Sequence, residues 1–277
     1  DKSTLHKLLS IVVVGGGATG VEVSGALAEM KRNILPKDYP TIDFSQMQIY
    51  LLEGGGKTLP AMSEKSSEES RSYLDKLGVK VLTNTIVKDY DGETVFLNND
   101  AKIETKTVIW AAGIKGNIPN GIDEKWIARG NRIKVDRTNK IETTDNIYVL
   151  GDLAYMETPK YPNGHPQVAN VAINQAKNLV LNIERMLNGN KHYLNEFEYQ
   201  DKGSMATVGR NLAVVDIPSP KIHLGGFFAW LIWMGLHLML ILGVKNRIQI
   251  FVNWIYKYFT KDQSLRLLFN WNKKSPH

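Results

Sequence analysis

Cysteine is absent from the 277 residues, and that one absence removes three chemistries: a disulfide framework, a cysteine-ligated zinc or iron–sulfur site, and a redox-active thiol pair. Any electrons this chain handles must therefore travel through an organic carrier. Its six histidines show no H-x-x-x-H or similar spacing, so no metal site is expected. A serine nucleophile elbow is also missing. The opening Asp1-Lys-Ser-Thr-Leu-His6 is polar and has no signal-peptide pattern. Acids are scarce in one region only. From Lys221 onward eight Lys/Arg face the single acid Asp262, so the net charge of +6 sits in the tail.

Glycine is present where it counts. Ile11-Val-Val-Val14 is a β-branched run followed by Gly15, Gly17 and Gly20 at G-x-G-x-x-G spacing, with Gly16, Ala18 and Thr19 between them. A helical pattern over residues 21–30 follows. This reads as a dinucleotide loop: the glycines allow a tight turn and bring a pyrophosphate to the helix N-terminus, whose free amides and dipole favour an anion. A second strand, residues 48–52, ends in Glu53. A carboxylate there accepts from both hydroxyls of an adenosine ribose and repels a 2′-phosphate, which favours NADH over NADPH. Residues 35–44 read as a surface insertion that lengthens the spacing. Glu22 has two readings, a helix-dipole carboxylate in the first turn and a carboxylate beside a nicotinamide.

Further along, residues 64–77 form a polar helix and 79–82 a short strand, while Asp91-Gly92 signals a hairpin between residues 85–90 and 93–97. Residues 106–113 read as a strand emptying into Ala112 and Gly113, small enough for a planar cofactor to lie on the backbone. A strand over 147–150 ends in Gly151-Asp152, where aspartate can bond a sugar-alcohol hydroxyl; a helix over 167–187 follows. Pro218-Ser-Pro220 marks the break before the tail, which holds Trp230, Trp233, Trp254 and Trp271. Residues 227–243 are seventeen residues without a formal charge, about 26 Å as a helix at ~1.5 Å per residue, just short of the ~30 Å hydrocarbon core. Whether they span or lie flat stays open. Residues 245–261 place Ile248, Phe251, Val252, Ile255, Tyr258 and Phe259 on one stripe framed by Lys245, Arg247, Lys257 and Lys261. That pattern suits a helix lying in an anionic membrane interface; an ordinary core or dimer helix is the alternative. No nucleic-acid module is recognisable, so no nucleic-acid partner is expected.

The combination of Gly15-Gly-Gly-Ala-Thr-Gly-Val-Glu22, Trp110-Ala-Ala-Gly113, Tyr148-Val-Leu-Gly-Asp152, Val168-Ala-Asn-Val-Ala-Ile-Asn-Gln175 and Gly209-Arg-Asn-Leu-Ala-Val-Val215 resembles the type II NADH:quinone oxidoreductases. The likeness covers roughly the C-terminal two-thirds of that family and lacks its first FAD-binding segment. It implies an α/β two-dinucleotide-binding-domain flavoprotein with a Rossmann-like NADH domain (1–115), part of an FAD domain (116–192) and a C-terminal amphipathic membrane-anchoring region (193–277). By resemblance Gly15, Gly17 and Gly20 meet the NADH pyrophosphate, Glu22 lies near the nicotinamide, Glu53 holds the ribose, and Ala112-Gly113 border the nucleotide. Gly151 and Asp152 bind FAD at its ribityl chain, Ala169, Asn170 and Val171 lie against the flavin, and Asn170, Asn174 and Gln175 line a quinone pocket. The family pattern carries glutamine where this chain has Asn170 and Asn174, which keeps the amide and shortens its reach by one methylene. Lys202 reads as a solvated loop lysine or a flavin neighbour.

The implied activity is electron transfer from NADH through FAD to a membrane quinone without proton pumping, by a peripheral homodimer on the cytoplasmic face of a bacterial inner membrane. Two other readings stay open: an NADH-binding fragment without catalysis of its own, and a soluble NADH-dependent flavin reductase with a protein acceptor.

Overall fold

The computed structural model describes residues 2–190 and 193–261. Residues 2–112 with 202–261 form one compact unit and the described residues of 113–201 another. The first opens with helix α1 (Lys2–Leu9) and strand β1 (Ser10–Val14), then helix α2 (Ala18–Asn33), a short α3 (Leu35–Asp38), strand β2 (Gln48–Leu52), helix α4 (Glu64–Lys76) and strand β3 (Val79–Leu82). An antiparallel trio follows, β4 (Val87–Tyr90), β5 (Thr94–Leu97) and β6 (Lys102–Glu104), and then β7 (Thr107–Trp110). The parallel sheet runs β3-β2-β1-β7, with Val12 opposite both Tyr50 and Val108.

Strands buried on both faces need apolar residues at successive positions. Val12, Val13 and Val14 meet that need. Val13, Leu51, Val79 and Val81 pack with Val21 and Ala28 of α2 and Leu74 of α4, while Val12, Val14 and Leu52 pack against Val95 and Leu97 of β5. The hairpin expected at Asp91-Gly92 is present: the Asp91 carboxylate accepts from the amides of Glu93 and Thr94 at 2.8 and 2.7 Å, and Gly92 takes φ +97°. Residues 35–44 are not simply a surface insertion. Phe44 is buried, and Leu35 and Ile42 pack on the same core.

In the second unit the strands are very short: β8 (Ile127–Ala128), β9 (Arg132–Lys134) and β10 (Ala154–Tyr155), in the order β10-β9-β8. The strand expected at residues 147–150 is replaced by an isolated bridge between Lys140 and Tyr148. The reason is Asn139. Its amide nitrogen donates to Val149 O at 2.9 Å while Val149 N donates back to Asn139 O, so a buried side chain supplies what a ladder would. Helix α5 (Ala169–Leu187) closes this unit.

The chain then returns to the first unit as an antiparallel sheet, β11 (Ser204–Gly209), β12 (Leu212–Ile217) and β13 (Ile222–Gly225), followed by α6 (Gly226–Leu240) and α7 (Val244–Thr260). The sheet lies directly on α2. A Cβ on Gly25 would fall 1.6 Å from Val208 O, so only glycine permits this approach. The apolar stretch 227–243 does not continue as one helix: α6 ends at Leu240, Ile241 is extended and Gly243 has φ +83°. Among the described residues no helix is long and apolar enough to cross a membrane. Trp271 lies outside the described residues.

Candidate functional site

The glycine loop joins β1 to α2 at the carboxyl end of the parallel sheet, where ligands of open α/β sheets bind. Gly15 has φ +108°, and a Cβ there would stand 2.7 Å from Ala111 O and 2.9 Å from the Ala112 Cα; one on Gly20 would meet Gly15 O at 1.7 Å. Gly17 has nothing within 4 Å of its missing Cβ. Two glycines thus close the turn and the third leaves it open. Gly17 is also the N-cap of α2 with no side-chain cap, and Ala18 and Thr19 are exposed, so the first-turn amides are free for an anion. Ala112 borders the loop; Gly113, at φ +90°, opens the second unit.

Glu53 stands at the end of β2, as its sequence position requires. Its two oxygens accept from Gly16 N and Gly55 N, each at 2.6 Å. A carboxylate offers about four lone-pair sites. Two brace the loop, and two are left for ribose hydroxyls.

Glu22 is the fifth residue of α2, beyond the first turn, which holds no acid; the helix-dipole reading is thereby corrected. Its carboxylate accepts from Thr207 N at 3.2 Å and faces a cavity of about 480 Å³. Trp230, Trp233, Phe251, Trp254, Tyr258 and Phe259 wall that cavity, with Glu29 and Arg210 at its polar part. Burial raises the Glu22 pKa above the ordinary carboxylate value, and the Thr207 amide and the His237 imidazole each offset part of that rise. Aromatic pairs join α6 to α7: Trp230 and Tyr258 lie 5.6 Å apart and Trp233 and Trp254 6.4 Å apart. Arg210 stacks on Tyr258 at 4.9 Å and donates to Lys257 O, tying the β11–β12 turn to α7. None of this cavity was legible beforehand. The tryptophan spacing in the tail was the one available signal.

In the second unit Gly151 takes φ +64° and Asp152 is exposed beside it. Helix α5 starts after Val168 with no side-chain cap, and Ala169 and Asn170 are exposed while Val171 is buried. The amides of Ala169 and Asn170 and an exposed carboxylate suit an electron-rich carbonyl and a polyol, so these residues fit one part of a flavin site, while the Val171 amide is taken by Val168 O at 3.0 Å. Asn174 donates to Asn170 O at 2.8 Å. Gln175 departs from a pocket-lining position. It is 1% exposed, and its Oε1 accepts from Gly151 N at 2.7 Å, because a buried amide must find a partner.

Residues 1–176 match the family model for pyridine nucleotide-disulphide oxidoreductases. The chain belongs to the pyridine nucleotide-disulphide oxidoreductase family. Within this oxidoreductase family it is homologous to type II NADH:quinone oxidoreductases, and residues 202–261 match the NDH2 C-terminal domain. It is 34% identical over 265 residues to the type II NADH:quinone oxidoreductase NdhA of Mycobacterium tuberculosis, covering 92% of this chain and 55% of that protein. The type II NADH:quinone oxidoreductase of Staphylococcus aureus is 31% identical over 204 residues, 73% of this chain and 50% of that protein. The chain thus spans about half the length of these relatives. Its fold is that of NDH2 from Plasmodium falciparum, solved in complex with NADH: TM-score 0.84 at 21% identity, over 96% of this chain and 69% of that one.

Proposed function

We propose that the protein containing this chain oxidises NADH and passes the electrons through FAD to a membrane quinone. One observation carries the reading. Helix α2 presents the open glycine loop at its N-terminus and, at Glu22, a carboxylate facing an aromatic cavity walled by α6 and α7. A single rigid element thereby adjoins a site for a water-soluble dinucleotide and one for an apolar acceptor. The free amides after Gly17 hold the pyrophosphate, Ala112 and Gly113 border it, and Glu53 orients the adenosine ribose and rejects a 2′-phosphate.

FAD, when bound, supplies hydride acceptance from NADH and electron delivery to the quinone. Asp152, Gly151 and the start of α5 at Ala169, Asn170 and Val171 hold it. Glu22, whose pKa burial raises, is placed to take up and release a proton at its carboxyl oxygen against the apolar cavity.

The exposed apolar residues Leu236, Met239, Leu242, Val244, Ile248, Val252 and Phe259, with Lys245, Arg247, Lys257 and Lys261 beside them, support helices that lie on an anionic membrane without crossing it. The family resemblance adds to the proposal a peripheral homodimer at the cytoplasmic face of a bacterial membrane. The test is an anaerobic absorption spectrum of the full-length protein with NADH, then turnover with a soluble quinone. The flavin bands should bleach on NADH and return on quinone, and Trp233→Ala should raise the quinone KM without moving the NADH KM. A protein that holds no flavin, or reduces no quinone, sinks the proposal.

A further inference from the structure

Gln175 and Gln167 take hold of the Gly151–Asp152 turn from one side. Gln175 lies two turns into α5, 1% exposed, with its Oε1 2.7 Å from Gly151 N. Gln167, two residues before α5, donates from Nε2 to Asp152 O at 2.9 Å. The helix lies so close to the turn that a Cβ on Gly151 would stand 3.0 Å from the Ala172 Cβ. Gly151 at φ +64° lies in a conformation that glycine alone enters freely, so the turn has no local preference strong enough to fix itself. The amide entering the turn and the carbonyl leaving it are both pinned. The Asp152 side chain is exposed.

We infer that Gln175, assisted by Gln167, is a positioning residue that holds the Gly151–Asp152 turn in the geometry Asp152 needs to bind the ribityl chain of FAD. The inference rests on the reading that Asp152 is an FAD ligand. It gives Gln175 a task different from quinone contact: its amide oxygen is committed to the backbone. Preorganisation of this kind appears as ligand affinity, because a loosened turn must be reordered on binding.

Three variants of the full-length protein test it, stripped of flavin and titrated with FAD by fluorescence quenching. Gln175→Met keeps the side chain's length and removes the acceptor, leaving Gly151 N buried and unpaired; FAD Kd should rise about tenfold or more. Gln175→Glu keeps an acceptor oxygen in place and should stay within about threefold of the wild type. Gln167→Leu frees a carbonyl that water can reach and should fall between the two. Hydrogen exchange at the Gly151 amide, measured without FAD, should accelerate in Gln175→Met and stay slow in Gln175→Glu. Unchanged exchange and FAD affinity in Gln175→Met would overturn the inference alone, as would a raised quinone KM with FAD affinity intact. A wild type that binds no FAD overturns the proposed function and this inference with it.

Discussion

Residues 2–112 and 202–261 fold around a four-stranded parallel sheet, whereas the described residues of 113–201 manage three strands of two or three residues each. The first unit meets its backbone hydrogen-bonding needs with ladders and covers its strands with valine and leucine. The second does much of the same work with side chains: Arg132 on Ala154 O, Asn139 on Val149 O, Gln175 on Gly151 N and Asn182 on Asn195. Its core is correspondingly mixed, with Ile133, Ile141, Met156 and Phe197 beside Tyr199 and the buried His165. Where regular structure is short, single polar residues become as consequential as whole strands. The outer face of α5 adds to the contrast, with Ile173, Val180, Leu181 and Leu187 exposed.

That contrast can be broken in each unit by its own means. The largest effect belongs to Gly25→Val, which drives side-chain atoms into the Val208 carbonyl and separates α2 from β11. A loss of about 3 kcal/mol is expected from such overpacking. A thermal melt within a degree of the wild type would mean that helix and sheet separate easily.

Asn139→Leu is the counterpart in the second unit. It leaves Val149 O without its amide partner and forces a branched residue to φ +68°, at about 2 kcal/mol. Urea denaturation measures the cost, and a neutral result would return the second unit's stability to its apolar core.

Smaller effects fall on the ligand sites. Glu53→Ser removes the acceptor proposed for the ribose and the brace on Gly16 and Gly55, so the kcat/KM preference for NADH over NADPH should drop about tenfold. An unchanged preference would leave Glu53 only its bracing role. The subtlest change is in pH dependence. Because burial raises the Glu22 pKa, the folded chain holds a proton that the unfolded chain releases between its ordinary value and the raised one. That contribution is complete below the unfolded pKa and is lost as pH climbs through the folded one. Glu22→Gln should therefore gain stability relative to the wild type as pH rises across this window, and parallel melting curves would show that Glu22 titrates normally.

Much of the first unit was legible residue by residue. Period-two and continuous apolar runs located β2 and β3 at their observed bounds, Asp91-Gly92 located a turn, and the glycine spacing located the loop. Local signals failed where a distant partner decided. Phe44 looks like part of a polar insertion until the α2 core accepts it, and residues 147–150 look like a strand until Asn139 takes the place of a neighbour. Gln175 reads as a pocket amide because nothing in the helix period reveals Gly151 beneath it. The tail shows the same limit. Its stripe of Ile248, Phe251, Val252, Ile255, Tyr258 and Phe259 falls within α7, yet Trp254 stands outside that stripe and still lines the cavity.

The sequence by itself determined that this chain supplies no thiol and that a glycine-spaced loop opens α2, since composition and glycine spacing are properties of the chain and its nearest neighbours. Tertiary structure alone decided what α2 faces further along. Glu22 and Glu29 share a cavity with residues 207–210 and 227–259 because Gly25 lets β11 lie on the helix and the α6 and α7 aromatics close over it. Contacts across nearly two hundred residues are fixed by packing, which no local periodicity encodes.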